Sequence, residues 1–386
     1  MATGEQPAAT AADVLDATRE LAPTIAARAA EIETARRLPP DLLDDLRRVG
    51  CFRVLRPRTH GGLGADLPEA MRIIESLARA DASVAWTVMI GAATWIDMAG
   101  LPRATFDALF ATPDVITAGV FNPTGSIAVT PGGYQVSGRW SFASGCEHAD
   151  WLFGNCIEGV VDGVPQMRMA VLAPEQVVIE DTWTVSGLCG TGSHHFRADS
   201  IVVPAERTWR PLTDPRCVDE PIVRIPPLAL ISLITASVPL GLAQGALDDI
   251  HAIAAGKVPL LAGAPLAANP HFQFELATAD TELRAARALL YESAESAWKT
   301  VTTGGEFTLE QRARIRAAGV WVTTRSAAVV ETAYRSGGGS SIYADCPLQR
   351  RLRDVHAVTQ HFAVKPDTLT TAGAVLAGQD VTVPVF

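Results

Sequence analysis

The residue pattern of the chain changes twice along its length, from helical to strand and back to helical. This order constrains the fold more than any other feature. Residues 11–111 show helical periodicity, with Leu15, Leu21, Ile25 and Ile32 spaced six, four and seven residues apart. Residues 115–209 instead form short runs rich in glycine, proline, β-branched and aromatic residues, and helical periodicity returns over residues 229–376. A doubly wound parallel sheet needs alternating strands and helices, which this order excludes.

We therefore predict an α+β fold that is mostly α. It has an N-terminal helical domain over residues 1–114, a central β-barrel-like domain over residues 115–215 and a C-terminal four-helix bundle over residues 216–386. The N-terminal helices are predicted at 40–49, 68–79, 82–99 and 103–111, the strands at 127–130, 134–137, 169–172 and 196–203, and the bundle helices at 229–255, 271–302, 309–335 and 348–376.

Composition limits the partners and the compartment. The net charge of −10 and the lack of any Lys/Arg run beyond two residues argue against a nucleic-acid partner. The six cysteines are scattered without a CxxC pair, which is typical of reduced thiols in a cytoplasmic protein. The most apolar stretch, residues 226–243, is interrupted by Ser232, Thr235 and Pro239. We interpret it as a buried bundle helix and expect no membrane span.

Two glycine-rich segments of the β region suit a flat cofactor. In Gly138-Arg-Trp-Ser-Phe-Ala-Ser-Gly145, Trp140 offers an aromatic wall and Ser144 a hydroxyl for a ring nitrogen. The alternative is that Trp140 belongs to the core and Ser144 to a turn. The second segment, residues 187–193, lacks the Lys-Ser/Thr ending of a phosphate loop, so we interpret it as a tight turn beside a ligand. Residues 120–126 contain Asn-Pro and Thr-Gly, which predict another turn.

No arrangement of histidines and cysteines predicts a metal site. His356 and His361 are five residues apart on a predicted helix, a spacing that places them on different faces. His361 follows a Ser/Gly-rich loop and a basic run, so it is a candidate base near neutral pH. A satisfied core or surface histidine is the alternative.

Five segments in the same order resemble the acyl-CoA dehydrogenase superfamily, and more closely its two-component flavin-dependent monooxygenase branch. They are residues 55–64, 81–86, 138–145, 182–193 and 334–361, and the resemblance covers residues 37–376. A dehydrogenase of this family needs a bundle glutamate as base, but no glutamate follows Glu331 and none lies between Glu220 and Glu275. An acyl-CoA dehydrogenase or oxidase, and an N- or S-oxygenase, remain as alternatives.

The resemblance implies a monooxygenase that hydroxylates an apolar aromatic substrate, such as a phenol, an indole or a polycyclic compound, through a flavin C4a-hydroperoxide. Reduced FAD or FMN, with FADH2 preferred, comes from a separate NAD(P)H:flavin reductase, and O2 is the co-substrate. The position of His361 matches a base that removes a substrate proton, and Ser144 matches the hydroxyl that stabilises the hydroperoxide.

The resemblance also implies which residues bind the cofactor. Those of the same subunit are Trp86, Val120, Phe121, Ser126, Trp140 and Ser144, whereas Arg335 and Gly338 serve a neighbouring subunit of a homotetramer. Two departures stand out: residues 91–95 lack a second histidine that related oxygenases carry, and Cys189 replaces an arginine. The first departure favours a larger, more apolar substrate than a small charged phenol.

Overall fold

The computed structural model describes residues 10–211 and 213–381. Its N-terminal helices are α1 (Ala11–Ala27), α2 (Ala29–Ala35), α3 (Pro40–Arg48), α4 (Leu67–Ala80), α5 (Ala82–Ala93), α6 (Trp95–Met98) and α7 (Arg103–Leu109). Pro40 stands in the first turn of α3, where a missing N–H has no effect on the helix. Asp66 caps α4 in a capping box with Glu69. The predicted helices of this region are confirmed, and the stretch 82–99 is divided into α5 and α6.

The central region is a seven-stranded sheet. Its strands are β1 (Thr117–Thr130), β2 (Gly133–Trp140), β3 (Trp151–Val161), β4 (Val164–Leu172), β5 (Val178–Glu180), β6 (His195–Val203) and β7 (Thr208–Trp209). Their order in the sheet is β5-β6-β2-β1-β3-β4-β7, and β1 and β3 run parallel. The four predicted strands are confirmed. Strand β3 was missed because Gly154, Asn155 and Gly159 interrupt its apolar pattern.

Trp140 forms the centre of the β-region core. Its side chain is 0% exposed, stacks on Phe196 with ring centroids 4.9 Å apart, and donates its indole N–H to the Asn155 carbonyl at 2.8 Å. A Cβ atom on Gly138 would lie 2.7 Å from the indole, and one on Gly154 would lie 2.4 Å from it. The expected aromatic wall is therefore wrong for Trp140, because the glycines around it make room for a buried ring.

The turn expected at residues 120–126 is a bulge inside a strand. Strand β1 continues through this segment, and its pairing with β3 shifts register between Val120 and Gly125. A bulge accommodates Pro123, which has no N–H for a strand partner. The Asn-Pro and Thr-Gly pairs therefore interrupt the pairing of β1 with β3 only locally, and the strand continues past them.

The bundle is built from α8 (Pro227–Gly256), α9 (Pro270–Thr302), α10 (Leu309–Gly337), α11 (Pro347–Thr359) and α12 (Thr368–Leu376). The first three confirm the predicted helices. The single helix expected over residues 348–376 is wrong, because Pro366 disfavours helical backbone before it and a short 3-10 turn, Phe362–Val364, separates α11 from α12. His361 therefore lies at a helix break.

Helix α8 has the length and apolar composition of a membrane-crossing helix, but it packs in the middle of the bundle. Of its most apolar 18-residue window, 83% is buried by other parts of the chain. Ser232, Thr235 and Ser237 are among its buried residues. It is a core helix, as the sequence predicts.

Candidate active site

Trp86 connects two candidate residues that are far apart in the sequence. It lies on α5, which Asp81 caps: the Asp81 carboxylate accepts the N–H groups of Ser83 and Val84 at 2.9 and 3.1 Å. The Trp86 indole N–H donates to Ser144 Oγ at 3.0 Å. The Trp86 ring also meets the His361 ring edge to face, with centroids 5.2 Å apart. The structure thus brings Trp86, Ser144 and His361 together.

A chain of three buried hydroxyl groups extends from Ser144. Ser144 Oγ lies 2.7 Å from Ser193 Oγ, which lies 2.7 Å from Thr191 Oγ1. Thr191 in turn donates to the Leu188 carbonyl at 2.8 Å. We call Ser144, Ser193 and Thr191 the hydroxyl chain.

The hydroxyl chain has one direction. An indole N–H only donates and a carbonyl only accepts, so the two ends are fixed. Ser193 then donates to Thr191, and Ser144 donates to Ser193. The Ser144 hydroxyl thus donates its proton to Ser193, and one of its two lone pairs accepts the Trp86 N–H. Its second lone pair is left for another donor.

The backbone around Ser144 joins two loops and turns an aromatic ring outward. Gly145 N–H donates to the Thr191 carbonyl at 2.9 Å, and Gly145 has a φ of 71° that suits glycine. Phe142 has a φ of 66° and is 69% exposed, with its ring 6.1 Å from that of Trp183. An exposed phenylalanine in the left-handed region is unusual, which makes this surface a candidate ligand site.

Helix α11 holds the other end of the hydroxyl chain. The Leu188 N–H donates to Asp354 Oδ1 at 2.7 Å, and Arg353 donates to the Ser186 carbonyl at 2.7 Å. A Cβ atom on Gly187 would lie 2.2 Å from the Arg353 carbonyl oxygen, so the close approach requires glycine. Burial raises the pKa of Asp354 to about 7, and the nearby Asp81 acts in the same direction.

The turn that carries His361 is fixed to the centre of the bundle. Ser232 on α8 donates to the Ala363 carbonyl at 2.8 Å. Gly319 on α10 makes room for that serine, because a Cβ atom there would lie 2.5 Å from Ser232 Oγ. The position of the imidazole is therefore set by helices α8 and α10 as well as by its own turn.

The environment of His361 keeps the imidazole neutral. Part of its surface is open, but protein atoms enclose the ring on most sides, and this burial lowers its pKa to about 4. Burial is the single cause of the shift, so no charged group contributes to it. Nδ1 accepts the Ala363 N–H at a long 3.4 Å, which places the proton of the neutral ring on Nε2.

The remaining predicted cofactor residues lie elsewhere. Val120 is buried in the β-region core, Phe121 is half-exposed against Phe153, and Ser126 Oγ donates to the Ser137 carbonyl. Arg335 and Gly338 lie at the end of α10. Within the described residues, no hydrogen bond or ring contact joins these five to Trp86, Ser144 or His361.

Sequence reasoning missed Phe142 and the roles of Thr191 and Ser193. The segment 187–193 is predicted to be a turn beside a ligand, and its two hydroxyl residues were the available signal. Nothing in the sequence indicates the positive φ of Phe142. Among residues 10–211 and 213–381, no group of three His, Cys, Asp or Glu side chains could hold a metal ion.

The matches to protein families agree with this architecture. Residues 9–102 match the acyl-CoA dehydrogenase N-terminal domain, and residues 233–366 match the acyl-CoA dehydrogenase C-terminal domain. The segment between the two matches contains the seven-stranded sheet.

Similar proteins of known activity cover almost the whole chain. Indole-3-acetate monooxygenase of Pseudomonas putida is 32% identical over 92% of this chain and 90% of its own length. The oxygenase component of an FADH(2)-dependent resorcinol hydroxylase from Rhizobium sp. is 30% identical over 89% of this chain and 88% of its own length. The crystal structure of the HsaA monooxygenase from M. tuberculosis superposes with a TM-score of 0.89 at 26% identity, covering 98% of this chain and all (100%) of that one. The chain therefore belongs to the acyl-CoA dehydrogenase superfamily and, within it, to the flavin-dependent monooxygenases.

Proposed function

We propose that this protein is the oxygenase component of a two-component system that hydroxylates an apolar aromatic substrate with reduced flavin and O2. One observation carries the proposal: Trp86 holds the Ser144 hydroxyl through its N–H and packs against the neutral His361 through its ring. The hydroxyl that we assign to the cofactor and the imidazole that we assign to the substrate proton thus both contact the side chain of Trp86. Such proximity is what a reaction between two bound molecules requires.

The residues around Ser144 fit the ring system of a flavin. A flavin presents a flat aromatic face and an edge of nitrogen and oxygen atoms. Phe142 offers an exposed apolar ring, and Ser144 Oγ offers one acceptor lone pair inside a buried hydrogen-bond chain. We assign Phe142 to the face of the flavin, the role that the sequence had suggested for Trp140, and Ser144 to its N5 edge.

Bound reduced flavin supplies the electrons that activate O2. Ser144 accepts the N5–H of the reduced ring and holds that proton in place. His361 is neutral at physiological pH, and its lone pair lies on Nδ1. We assign the uptake of the substrate O–H or N–H proton to this atom, which exchanges its long contact with the Ala363 N–H for the substrate proton.

The surroundings of His361 support an apolar aromatic substrate. Its ring contacts are Trp86 and Phe362, the latter with centroids 4.6 Å apart. Among the described residues, no charged side chain contributes to the pKa shift of the imidazole, so the immediate surroundings of the ring are apolar. Indole and phenol rings, of the kind named for the relatives from Pseudomonas putida and Rhizobium sp., suit such a site.

We further propose a separate flavin reductase, FAD in preference to FMN, and a homotetramer in the cytoplasm. The FADH(2) dependence and the oxygenase-component name of the resorcinol hydroxylase support the first two. Arg335 and Gly338 lie at the end of α10, and we assign them to the flavin of a neighbouring subunit. The six cysteines are all free, which suits a reducing compartment.

A single-turnover experiment tests the function. The protein is mixed anaerobically with dithionite-reduced FAD or FMN, and 18O2-saturated buffer is then added with indole-3-acetate, resorcinol or dibenzothiophene. We expect one 18O atom in a ring-hydroxylated product, with FAD giving more product than FMN. Labelled sulfoxide alone would favour S-oxygenation. Formation of an enoyl thioester from an acyl-CoA with oxidised flavin, and no labelled product, would contradict the proposal.

A further inference from the structure

We infer that the hydroxyl chain makes the site select reduced flavin over oxidised flavin, with Thr191 and Ser193 as the positioning residues that set this preference. The inference rests on the proposed binding of flavin beside Ser144. It assigns a function to two hydroxyl groups that touch neither His361 nor, in this arrangement, the cofactor itself.

The hydrogen bonds of the hydroxyl chain use every hydroxyl proton in it. Each hydroxyl has one proton to donate, and Thr191 gives its proton to the Leu188 carbonyl at 2.8 Å. Ser193 must then donate to Thr191, and Ser144 must donate to Ser193. As long as Thr191 keeps its bond to the carbonyl, Ser144 has no proton left for a ligand.

The N5 edge of a flavin differs between the reduced and the oxidised ring. In the reduced ring N5 carries a hydrogen and donates, whereas in the oxidised ring N5 is an acceptor. The free lone pair of Ser144 can therefore accept the N5–H of reduced flavin, but it repels the N5 lone pair of oxidised flavin. To donate to oxidised flavin, Ser144 would need all three hydroxyl groups to rotate, which leaves Thr191 Oγ1 facing the Leu188 carbonyl oxygen at 2.8 Å without a proton between them. That carbonyl keeps the N–H groups of Trp183 Nε1 and Thr191, at 3.0 and 3.2 Å, so the cost of the rotation lies in the repulsion between the two oxygens.

Ser144, Ser193 and Thr191 are all buried, so water cannot supply the missing donor. An unmet polar pair in such a site weakens binding by about tenfold or more. We therefore expect the dissociation constant of oxidised FAD to exceed that of reduced FAD by a factor on the order of 10 to 100.

Two variants free the proton of Ser144. In Thr191→Val the shape is kept, but Ser193 loses its acceptor and can donate to Ser144 instead, so that Ser144 donates to N5 of oxidised flavin. In Ser193→Ala the proton of Ser144 is free directly. Both variants should bind oxidised FAD more tightly than the wild type does, and the ratio of the two constants should fall toward about one.

Thr87→Val is the matched control. Thr87 is a buried threonine next to Trp86, and its hydroxyl donates to the Ser83 carbonyl at 2.9 Å, outside the hydroxyl chain. It loses a buried hydroxyl just as Thr191→Val does, but it leaves the direction of the chain unchanged. It should keep the wild-type ratio.

Each protein is titrated anaerobically with dithionite-reduced FAD and aerobically with oxidised FAD. In both titrations the quenching of tryptophan fluorescence measures binding and gives the dissociation constant. A high wild-type ratio that collapses in Thr191→Val and Ser193→Ala, but not in Thr87→Val, supports the inference. Equal wild-type affinities, or variants that keep the wild-type ratio, overturn it. If neither form binds, the proposed function falls with it, whereas a selective site without aromatic hydroxylation overturns the proposed function alone.

Discussion

Two buried tryptophans, Trp140 and Trp86, use the same side chain for different purposes. Trp140 is 0% exposed, and its N–H donates to the Asn155 backbone carbonyl inside the β-region core. Trp86 is 5% exposed, but its N–H donates to the Ser144 hydroxyl, and its ring meets His361. Burial alone does not separate the two residues.

The difference lies in what each N–H binds. The Asn155 carbonyl belongs to the sheet backbone, and the glycines around Trp140 are spaced to admit its ring. The Ser144 hydroxyl belongs to a chain of rotatable groups that keeps a lone pair for a ligand. In this protein the tryptophan that donates to a rotatable hydroxyl next to a histidine lies at the proposed site, whereas the one that donates to the backbone lies in the core.

The largest expected effect separates stability from binding. Trp140→Ala should lower the free energy of unfolding by about 3–5 kcal/mol, because it empties a fully packed pocket. Phe142→Ala, two residues away, should change stability by less than about 0.5 kcal/mol, because that ring is exposed. Urea denaturation measures both values.

Flavin titration completes this pair. Phe142→Ala should weaken the binding of reduced FAD by about tenfold, since an aromatic face contributes about 0.5–1.5 kcal/mol beyond the area it buries. If Phe142→Ala binds FAD as the wild type does, or unfolds as readily as Trp140→Ala, the distinction between the two aromatic residues is lost.

The next effect concerns the chemistry at His361. His361→Ala should lower the yield of hydroxylated product by about 100-fold, with hydrogen peroxide formed instead, because the substrate proton has no acceptor. Reduced FAD should bind unchanged. The control is His356→Ala, an exposed histidine whose Nε2 lies 3.3 Å from Glu331, and it should keep the wild-type yield. Equal losses in both variants would remove His361 from the reaction.

A smaller effect is expected at the anchor of the hydroxyl chain. Asp354→Ala leaves the Leu188 N–H without its acceptor, which should cost about 1–3 kcal/mol of the free energy of unfolding. Asp354→Asn keeps an acceptor oxygen and should cost less. Thermal unfolding of the two variants at one pH distinguishes them, and an identical loss would show that the hydrogen bond to the Leu188 N–H does not account for the effect.

The smallest expected effect is on the pH dependence of activity, which should show no loss near pH 6.5. The functional form of His361 is the neutral ring, and burial lowers its pKa to about 4. Activity should therefore be kept as pH falls through 6.5 and be lost only as it approaches about 4. A profile of kcat/KM against pH measures this, with Asp354→Asn included because the pKa of Asp354 is raised to about 7. A limb near pH 6.5 that Asp354→Asn retains would contradict the assigned environment of His361.

The sequence predicted the architecture well, because the change from helical to strand periodicity is visible in the residue pattern of each region. It failed where a single residue decides the backbone. Pro366 ends the helical pattern near His361, and the bulge at Pro123 looks like a turn in the sequence. Strand β3 was hidden by its glycines, one of which, Gly154, serves the packing of Trp140.

The site was predicted in part. Trp86, Ser144 and His361 were named from the resemblance to a family, and the structure brings them together. The proposed assignment of Phe142, and not Trp140, to the flavin face could not be predicted from the sequence, because the left-handed backbone that exposes Phe142 leaves no signal in the residue types. The direction of the hydroxyl chain was also hidden, since it depends on distances between three hydroxyl groups and one carbonyl.

The most direct test of the proposed site is the division of reduced FAD between hydroxylated product and hydrogen peroxide in Ser144→Ala. Ser141→Ala, three residues earlier, is the control. We expect Ser144→Ala to lower the share of product by about tenfold, the value of one buried hydrogen bond, while Ser141→Ala keeps the wild-type share. If Ser144→Ala forms product in the wild-type share, the hydroxyl held by Trp86 is not the cofactor contact.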